Sequence, residues 1–527
     1  MNPPDNNHHP AKPQAWYRLF LVFLALIGGG LVYWATATLG PGLGEDSAKY
    51  LSVAENLLAG RGFVYYNSYA LAQWPPLFPM LLAGLHLISG VDVAQIGRVL
   101  NILAVSSLIF AGGLLLERAF RHRIILAVFG SILIAFSTPI ISIASNISTD
   151  PLFIFLVILF LLVAAAYVRR ESWPMLILLA SLTIIASYFR YAGLALVLTG
   201  GAIVFFAKRK DFVKATLQAG AFVIVTGLPL FLWAWLHNYP RVGVLFGGHL
   251  PAVPLSNVTI TIDKIFGWFF PITILNIISP LLILAVILIL LLTGNRLKDW
   301  AEFAQRLITP DILPSAIFLM VYGLMLLFYT SSSEARYLGF DRLHIVILPA
   351  LLVVGLTSFE RLFPKYLYRL PQPLLKTGIY LGLVAFAIIS IYDAQKYARV
   401  TARAGDVNYN HIVTQELTQS ELVAFLASLE LDDDDDALYS NNDSVAWFYV
   451  RHPITVFPRD YELPPSEDDS EPSWPPQSAN GVLVWFYGDL DYTPGVIFPQ
   501  EALDLGWLTP LYTSDLGDVY QLNPASP

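Results

Sequence analysis

Apolar runs of about 20 residues, the length a membrane-crossing helix needs, recur along the first three quarters of the chain, separated by short polar stretches. The first, Leu19 to Leu39, follows Lys12 and Arg18. The positive-inside rule therefore places a short tail, residues 1–18, in the cytoplasm and the end of the run outside. The next apolar run, Leu77 to Ile88, is too short to cross, whereas Val93 to Leu116 is long enough and ends on the basic cluster Arg118, Arg121, His122 and Arg123. If that cluster is cytoplasmic, residues 75–90 begin and end outside as a partial insertion; two full crossings would put the cluster outside instead. Irregular backbone at membrane depth is tolerated only against protein or a water-filled cavity, so the partial insertion predicts a cavity beside it.

Beyond residue 123 the signs alternate. Ile124 to Ile147 runs outward, and Pro151 to Val168 returns to Arg169-Arg170. Met175 to Ala207 is broken by Arg190-Tyr191, which predicts a hairpin of two short helices with Arg190 at its outer tip. Phe212 to Trp235 goes out, residues 236–263 form an outer loop, and Ile265 to Leu292 comes back to a basic cluster. Ile312 to Tyr329 goes out, Leu343 to Leu356 returns, and Ile379 to Ile391 makes the last exit. The pattern predicts an all-α polytopic membrane domain over residues 19–395, with about eleven spans plus the partial insertion.

Past residue 396 the pattern changes. Strand-like runs at Ala437–Tyr439, Ile454–Phe457, Val482–Tyr487 and Val519–Leu522 lie among helix-like Gln415–Leu429 and Ser444–Val450. This alternation predicts a small α/β domain, residues 396–527, on the extracytoplasmic side. The aspartate run 432–436 could bind a cation, but a block of like charges reads first as a solvated segment.

Composition narrows the class. Of the 527 residues 56% are hydrophobic and 13% charged, about half the charge of a soluble domain. The chain has no cysteine, which excludes disulfides and thiolate chemistry. The net charge of −8 arises from acids concentrated after residue 400, while basic clusters sit between apolar runs. That distribution sets topology and does not point to nucleic acid.

The first long stretch that cannot sit in lipid is Gly44 to Pro79, within an outer loop taken as 40–76. Tyr50, Val53, Ala54, Leu57 and Leu58 recur at helical spacing, with Lys49, Ser52, Glu55 and Asn56 opposite, which predicts an amphipathic helix on the outer interface. Asp46 and Ser47 suit its start and Gly60 its stop. The topology brings Glu45, Asp46, Asp150, Arg190, Glu334, Arg336 and Asp341 to one face, with His86, Asp92, Arg98, His249 and His344 as further candidates. Polar groups near lipid are costly and mark functional sites by default. A carboxylate can take the proton of an attacking hydroxyl, and arginines can hold a phosphate bidentately. Ordinary structural roles compete: Asp46 as a helix cap, Asp150-Pro151 as a helix start, the arginines as snorkelling side chains and Trp74 as an interfacial anchor. No phosphate-binding glycine loop and no HExxH metal motif is present.

In this order, Glu45-Asp46 followed by Tyr50, Ala54 and Leu57-Leu58, then Pro75-Pro76-Leu77-Phe78, Asp150, Arg190 and Arg336-Tyr337 resemble the membrane-embedded glycosyltransferases of the C-type fold that use polyprenyl-phosphate sugars. These include protein O-mannosyltransferases and lipid A aminoarabinose transferases. The resemblance covers roughly residues 15–395. It implies a multi-pass plasma (inner) membrane enzyme of cell-envelope glycosylation. Such an enzyme transfers a sugar from a polyprenyl-phosphate donor to a glycan, lipid or protein acceptor on the non-cytoplasmic face. It further implies Asp46 as catalytic carboxylate, with Glu45 as the other choice, and Asp150 assisting. Arg336 and Arg190 would grip the donor phosphate, and Tyr50, Trp74 and Tyr337 would position substrate. Trp74 departs from the lysine many members carry before the Pro-Pro pair, so that cation is missing or supplied elsewhere. No organic cofactor is implied; carboxylates could hold a divalent metal, but no dedicated ligand set stands out. The rival readings are a transporter or flippase for a lipid-linked sugar, whose usual internal repeats are not seen, and a non-catalytic membrane scaffold.

Overall fold

The computed structural model describes residues 15–246, 256–268, 304–328, 341–366, 372–405, 412–431, 436–455, 480–488, 499–504 and 506–523. Ten helices open the chain: α1 (Ala15–Ala35), α2 (Glu45–Leu58), α3 (Leu77–Ser89), α4 (Val93–Ala119), α5 (Ile124–Ala135), α6 (Thr138–Ser145), α7 (Asp150–Arg170), α8 (Trp173–Phe189), α9 (Leu194–Lys208) and α10 (Phe212–Trp233). A π-helical turn, Ala234–Asn238, carries α10 on to Val242. Helices Ser256–Gly267, Leu313–Phe328, Leu348–Tyr366 and Gln372–Ala404 follow.

Among the described residues seven helical stretches are long and apolar enough to cross a membrane, and Leu77–Ser89, Trp173–Phe189 and Leu313–Leu327 are shorter apolar helices. The span expected over Ile265–Leu292 lies largely outside the described residues, whereas that over Ile312–Tyr329 is helical from Leu313 to Phe328. At about 1.5 Å per residue, α3 is roughly 20 Å long, short of a ~30 Å hydrocarbon layer. Gly90, at φ 67°, ends it, and Asp92 Oδ1 caps α4 by accepting from the Ala94 and Gln95 amides. The expected span Ile124–Ile147 is two helices, because the turn at Phe136-Ser137 breaks it before Pro139.

The helix bundle shares one core, in which Leu21, Leu108, Ile134, Phe153, Leu196 and Phe318 are buried. Ion pairs gather at the end of the bundle away from α2. Arg18 meets Glu117 at 3.9 Å, Arg123 meets Glu360 at 2.9 Å, Arg169 meets Asp311, and Lys208 meets Glu171. These residues stand at the end of α4 and α7, the start of α5 and the end of α9, so successive helices alternate as the basic clusters implied.

A second core joins the loop after α1 to the C-terminal region: Leu51, Val53, Phe78 and Leu82 pack in one cluster with Leu438, Trp447 and Val484. That region holds a four-stranded sheet of order β1-β2-β4-β3, with β1 (Asp436–Ser440), β2 (Asn480–Phe486), β3 (Leu508–Ser514) and β4 (Gly517–Leu522). β1 and β2 are parallel, in the register Leu438 to Val482, and the other pairs are antiparallel. Helix Asp443–Val450 docks the sheet on α2. Trp447 stacks on Tyr66 at 5.5 Å, Arg451 reaches Glu55 at 2.8 Å, and the Ile412 amide donates to the Leu43 carbonyl at 3.2 Å. Burial raises the Glu55 pKa above the usual carboxylate range, and Arg451 acts against that rise.

The break between α8 and α9 depends on one close approach. The Gly193 amide donates to the Arg190 carbonyl at 2.8 Å, and a Cβ on Gly193 would come within 2.5 Å of Ser187 Cα. Overpacking of this kind costs about 1–3 kcal/mol. Gly193→Ala therefore lowers the apparent Tm of the detergent-solubilised protein, whereas Gly220→Ala, where a Cβ meets nothing within 4 Å, leaves it unchanged. Equal effects of the two substitutions would refute this account of the hairpin.

Candidate active site

Helix α2 starts at Gly44, whose extended backbone lets its amide donate to Ser47 Oγ at 3.2 Å. Ser47 Oγ in turn donates to the Ile147 carbonyl at 2.8 Å. Just before α2, Gly42 forms a parallel bridge with Asn146. The Gly42 amide lies on the Ser145 carbonyl at 2.8 Å, and the Ile147 amide on the Gly42 carbonyl at 3.0 Å. These bonds tie the start of α2 to the segment that leads into α7. They set two carboxylates, Asp46 and Asp150, into one neighbourhood although 104 positions separate them.

Asp46 does not cap its helix, which corrects the role considered for it, whereas Asp150-Pro151 does open α7 as expected. Gly44 is the N-cap of α2 and Thr149 that of α7. Asp46 Oδ2 instead accepts from Arg342 Nη2 at 2.5 Å. Asp150 pairs with Arg190, whose Nη1 also reaches Thr149 Oγ1 at 3.4 Å. The Asp150 side chain is 2% exposed and that of Arg190 12%, so this pair is nearly dry. Arg190 occupies the extended residue between α8 and the 3-10 turn Tyr191–Gly193, at the tip of the expected hairpin.

Tyr50 links the two pairs. It stands one turn beyond Asp46, fully buried, with its hydroxyl beside Thr149. Burial and then the Asp46 charge push its pKa well above the usual phenol range, against the pull of Arg190 and Arg342. The hydroxyl thus keeps its proton at neutral pH. Trp74 packs on Tyr50 at 5.2 Å and on Tyr65 at 6.1 Å. Lys49 Nζ lies 5.5 Å from the Trp74 ring centre and 5.6 Å from that of Tyr65, so a cation stands beside Trp74, supplied by α2.

The paired acids stand on different helix faces. Glu45 is 61% exposed and bonds Lys49 Nζ at 2.6 Å, whereas Asp46 is 25% exposed and turns inward to Arg342. Other candidates sit elsewhere. His86 Nδ1 meets the Val91 carbonyl at 2.8 Å, Arg98 Nε donates to Thr36 Oγ1 at 2.9 Å, and His344 Nε2 meets Thr261 Oγ1 at 3.1 Å. Asp341 accepts from Trp268 Nε1 at 3.0 Å. His249, Glu334, Arg336 and Tyr337 lie outside the described residues. Arg342 is the residue that sequence reasoning missed. It sits in the first turn of a span, the same placement that drew attention to Asp150. Among the described residues no three His, Asp or Glu side chains converge as a metal site.

Two acids and two guanidinium groups thus meet with no formal net charge among them, at the head of α2 and against aromatic walls; α2 itself is largely buried, Ser52 and Asn56 of its expected polar face included. An incoming anion can take the guanidinium donors and release the carboxylates. That is what transfer of a phosphate-linked group requires.

The chain has the C-type, ArnT-like fold expected from the sequence. Its structure is similar to that of ArnT from Cupriavidus metallidurans in the apo state, with a TM-score of 0.59 and 14% identity over 96% of this chain and 98% of that one. It is likewise similar to the same protein bound to undecaprenyl phosphate, with a TM-score of 0.57 and 14% identity over 97% and 99% of the two chains. No family model matches the sequence, and no curated protein is similar to it in sequence.

Contacting charged groups couple by about 0.5–3 kcal/mol in double-mutant cycles. A cycle of Asp46→Asn and Arg342→Gln, read by thermal unfolding, is expected to show coupling in that range. A cycle of Glu45→Gln and Arg342→Gln is expected to be additive within about 0.5 kcal/mol. Additivity in the first cycle would contradict the pairing.

Proposed function

We propose that this protein is an integral membrane glycosyltransferase. It takes a sugar from a polyprenyl-phosphate donor and passes it to a hydroxyl-bearing acceptor on the non-cytoplasmic face of the plasma membrane. The observation that carries the reading is the pairing of Asp46 with Arg342 and Asp150 with Arg190 around Tyr50. It stands in a fold that ArnT shares and in which that protein has been seen with undecaprenyl phosphate. The positive-inside pattern supports a cytoplasmic N-terminus and an outward-facing site and C-terminal domain.

Each group has a role in this reading. The donor's phosphodiester attracts Arg342 and Arg190, which hold it by charge-assisted hydrogen bonds. Arg342 then leaves Asp46, whose carboxylate becomes a stronger base once its cation has moved. Asp46 accepts the proton of the acceptor hydroxyl as that oxygen attacks the anomeric carbon. The bond from that carbon to the phosphate oxygen breaks, and its electron pair leaves with polyprenyl phosphate. The two guanidinium groups stabilise the charge that develops there. Attack from the face opposite the phosphate inverts the sugar carbon. Asp150 keeps Arg190 aimed, Tyr50 donates a hydrogen bond, and Trp74 and Lys49 wall the site. Arg336 and Tyr337 belong to the same proposal through their place in the chain, just before Arg342.

A positioned general base contributes about 10²–10⁴-fold to rate. Asp46→Asn is therefore expected to reduce sugar transfer from a radiolabelled undecaprenyl-phosphate donor by that factor in membranes, while Glu45→Gln retains transfer within about threefold, since an exposed rim charge contributes little. Undiminished transfer by Asp46→Asn would overturn its role. Failure of the wild-type protein to consume any lipid-linked sugar would overturn the function.

A further inference from the structure

At the end of α10 the chain widens into the π-helical turn Ala234–Asn238. Such turns concentrate at functional sites because the extra residue re-aims the side chains. Here the turn presents His237 and Asn238. The His237 ring stacks on Trp233, 4.2 Å between centres and 18° between planes, and Phe63 stands edge-on to both at 5.8 and 5.2 Å. All three rings are half-buried, while Asn238 behind them and the polar atoms of the group are closed to solvent, so a ligand reaches those atoms only as the stack parts.

The polar atoms of this group are only partly used. Asn238 Nδ2 donates to Tyr191 Oη at 2.9 Å and to the Leu245 carbonyl at 2.8 Å, which fixes the orientation of the amide. Tyr191 Oη passes its own proton to the Ala72 carbonyl at 3.0 Å. Asn238 Oδ1 is then left buried with no hydrogen-bond partner, and so is His237 Nε2. The imidazole bonds the Leu71 backbone; assigning the ring proton to that bond through Nδ1 leaves Nε2 as an acceptor. The Trp233 indole N–H lies beside the Tyr191 hydroxyl in a weak contact and has no well-formed hydrogen bond. Leaving a buried polar group unpaired is costly, so three poorly satisfied groups in one cluster call for something that bonds them.

The cluster adjoins the paired charges. Tyr191 follows Arg190 directly, and its hydroxyl rests on Ala72, two residues before Trp74. Among the described residues no carboxylate acts on His237 or Tyr191; the charge that His237 feels is that of Arg241, held outside on the His237 carbonyl. The geometry points to a subsite for an uncharged, hydroxyl-bearing ring. Its hydroxyls donate to Asn238 Oδ1 and His237 Nε2 and accept from Trp233 Nε1, and its apolar face lies on the aromatic stack. Resting on the transferase reading, this makes Asn238 and His237 determinants of the donor sugar, and the sugar a neutral one, since a cationic amino sugar finds no anion there among the described residues.

The experiment measures binding by the purified full-length protein in lipid nanodiscs. The probes are undecaprenyl phosphate bare or carrying a neutral hexose, a neutral pentose or an aminopentose. The proteins are wild type, Asn238→Leu and His237→Phe, each first shown to unfold at the wild-type temperature within a few degrees. The expected result is that one neutral-sugar lipid binds the wild type about tenfold tighter than the bare carrier, equivalent to about 1.4 kcal/mol. Both variants should lose that advantage while holding the bare carrier as before. Equal weakening of all lipids would show a structural role only, and an unchanged advantage would show that the free atoms serve bound water; either overturns the inference. So does preference for the aminopentose, or no wild-type advantage for any sugar. Absence of any undecaprenyl phosphate binding by the wild type sinks the transferase reading and this inference with it.

Discussion

The site depends on charge that is neutralised in pairs where little water can help. Removing one member of a buried pair strands its partner, at a cost of about 3–5 kcal/mol, so Asp150 and Arg190 have to stay together. The surrounding architecture serves that requirement. The bridge between Gly42 and Asn146 sets the heads of α2 and α7 side by side, and Gly193 lets the α8–α9 hairpin bring Arg190 to Asp150. The less buried pair, Asp46 with Arg342, is the one a ligand can open at lower cost. On the proposed reading, one pair stays fixed and the other is exchanged for an incoming anion.

The C-terminal domain is part of this arrangement. Its helix Asp443–Val450 packs on the back of α2 through the Trp447–Tyr66 stack and the Arg451–Glu55 pair. The shared core of that contact includes Leu51 and Val53, on the helix that carries Asp46. A short interfacial helix held only by the membrane would be free to roll and would carry its carboxylate with it. Packed between the bundle and the sheet, α2 keeps Asp46 facing inward.

Much of this was legible in the residues. Apolar run length and the alternation of basic clusters placed Asp46, Asp150 and Arg190 on one face, because both signals act residue by residue along the chain. Between Asp46 and Glu45 the sequence left the choice open; in the fold Asp46 turns inward to Arg342 and Glu45 outward to Lys49. Arg342 was not legible as the partner of Asp46, since no local pattern records which of several arginines at the head of a span turns inward. Strand β3 escaped notice because its alternation is interrupted by Pro510 and shifts register at a bulge. The π-helical turn was hidden for another reason: Phe231, Trp235 and Tyr239 keep ordinary helical spacing straight through it.

The central claim is that the paired guanidinium groups form an anion site for a lipid phosphate. Its most direct test compares the binding of undecaprenyl phosphate with that of uncharged undecaprenol by native mass spectrometry of the purified protein, for wild type, Arg342→Gln and Arg190→Gln. The account predicts that wild type retains the phosphate lipid in preference to the alcohol and that each substitution removes the preference without abolishing binding of the alcohol. Equal retention of the two lipids by the wild type, or a preference that survives both substitutions, would contradict it.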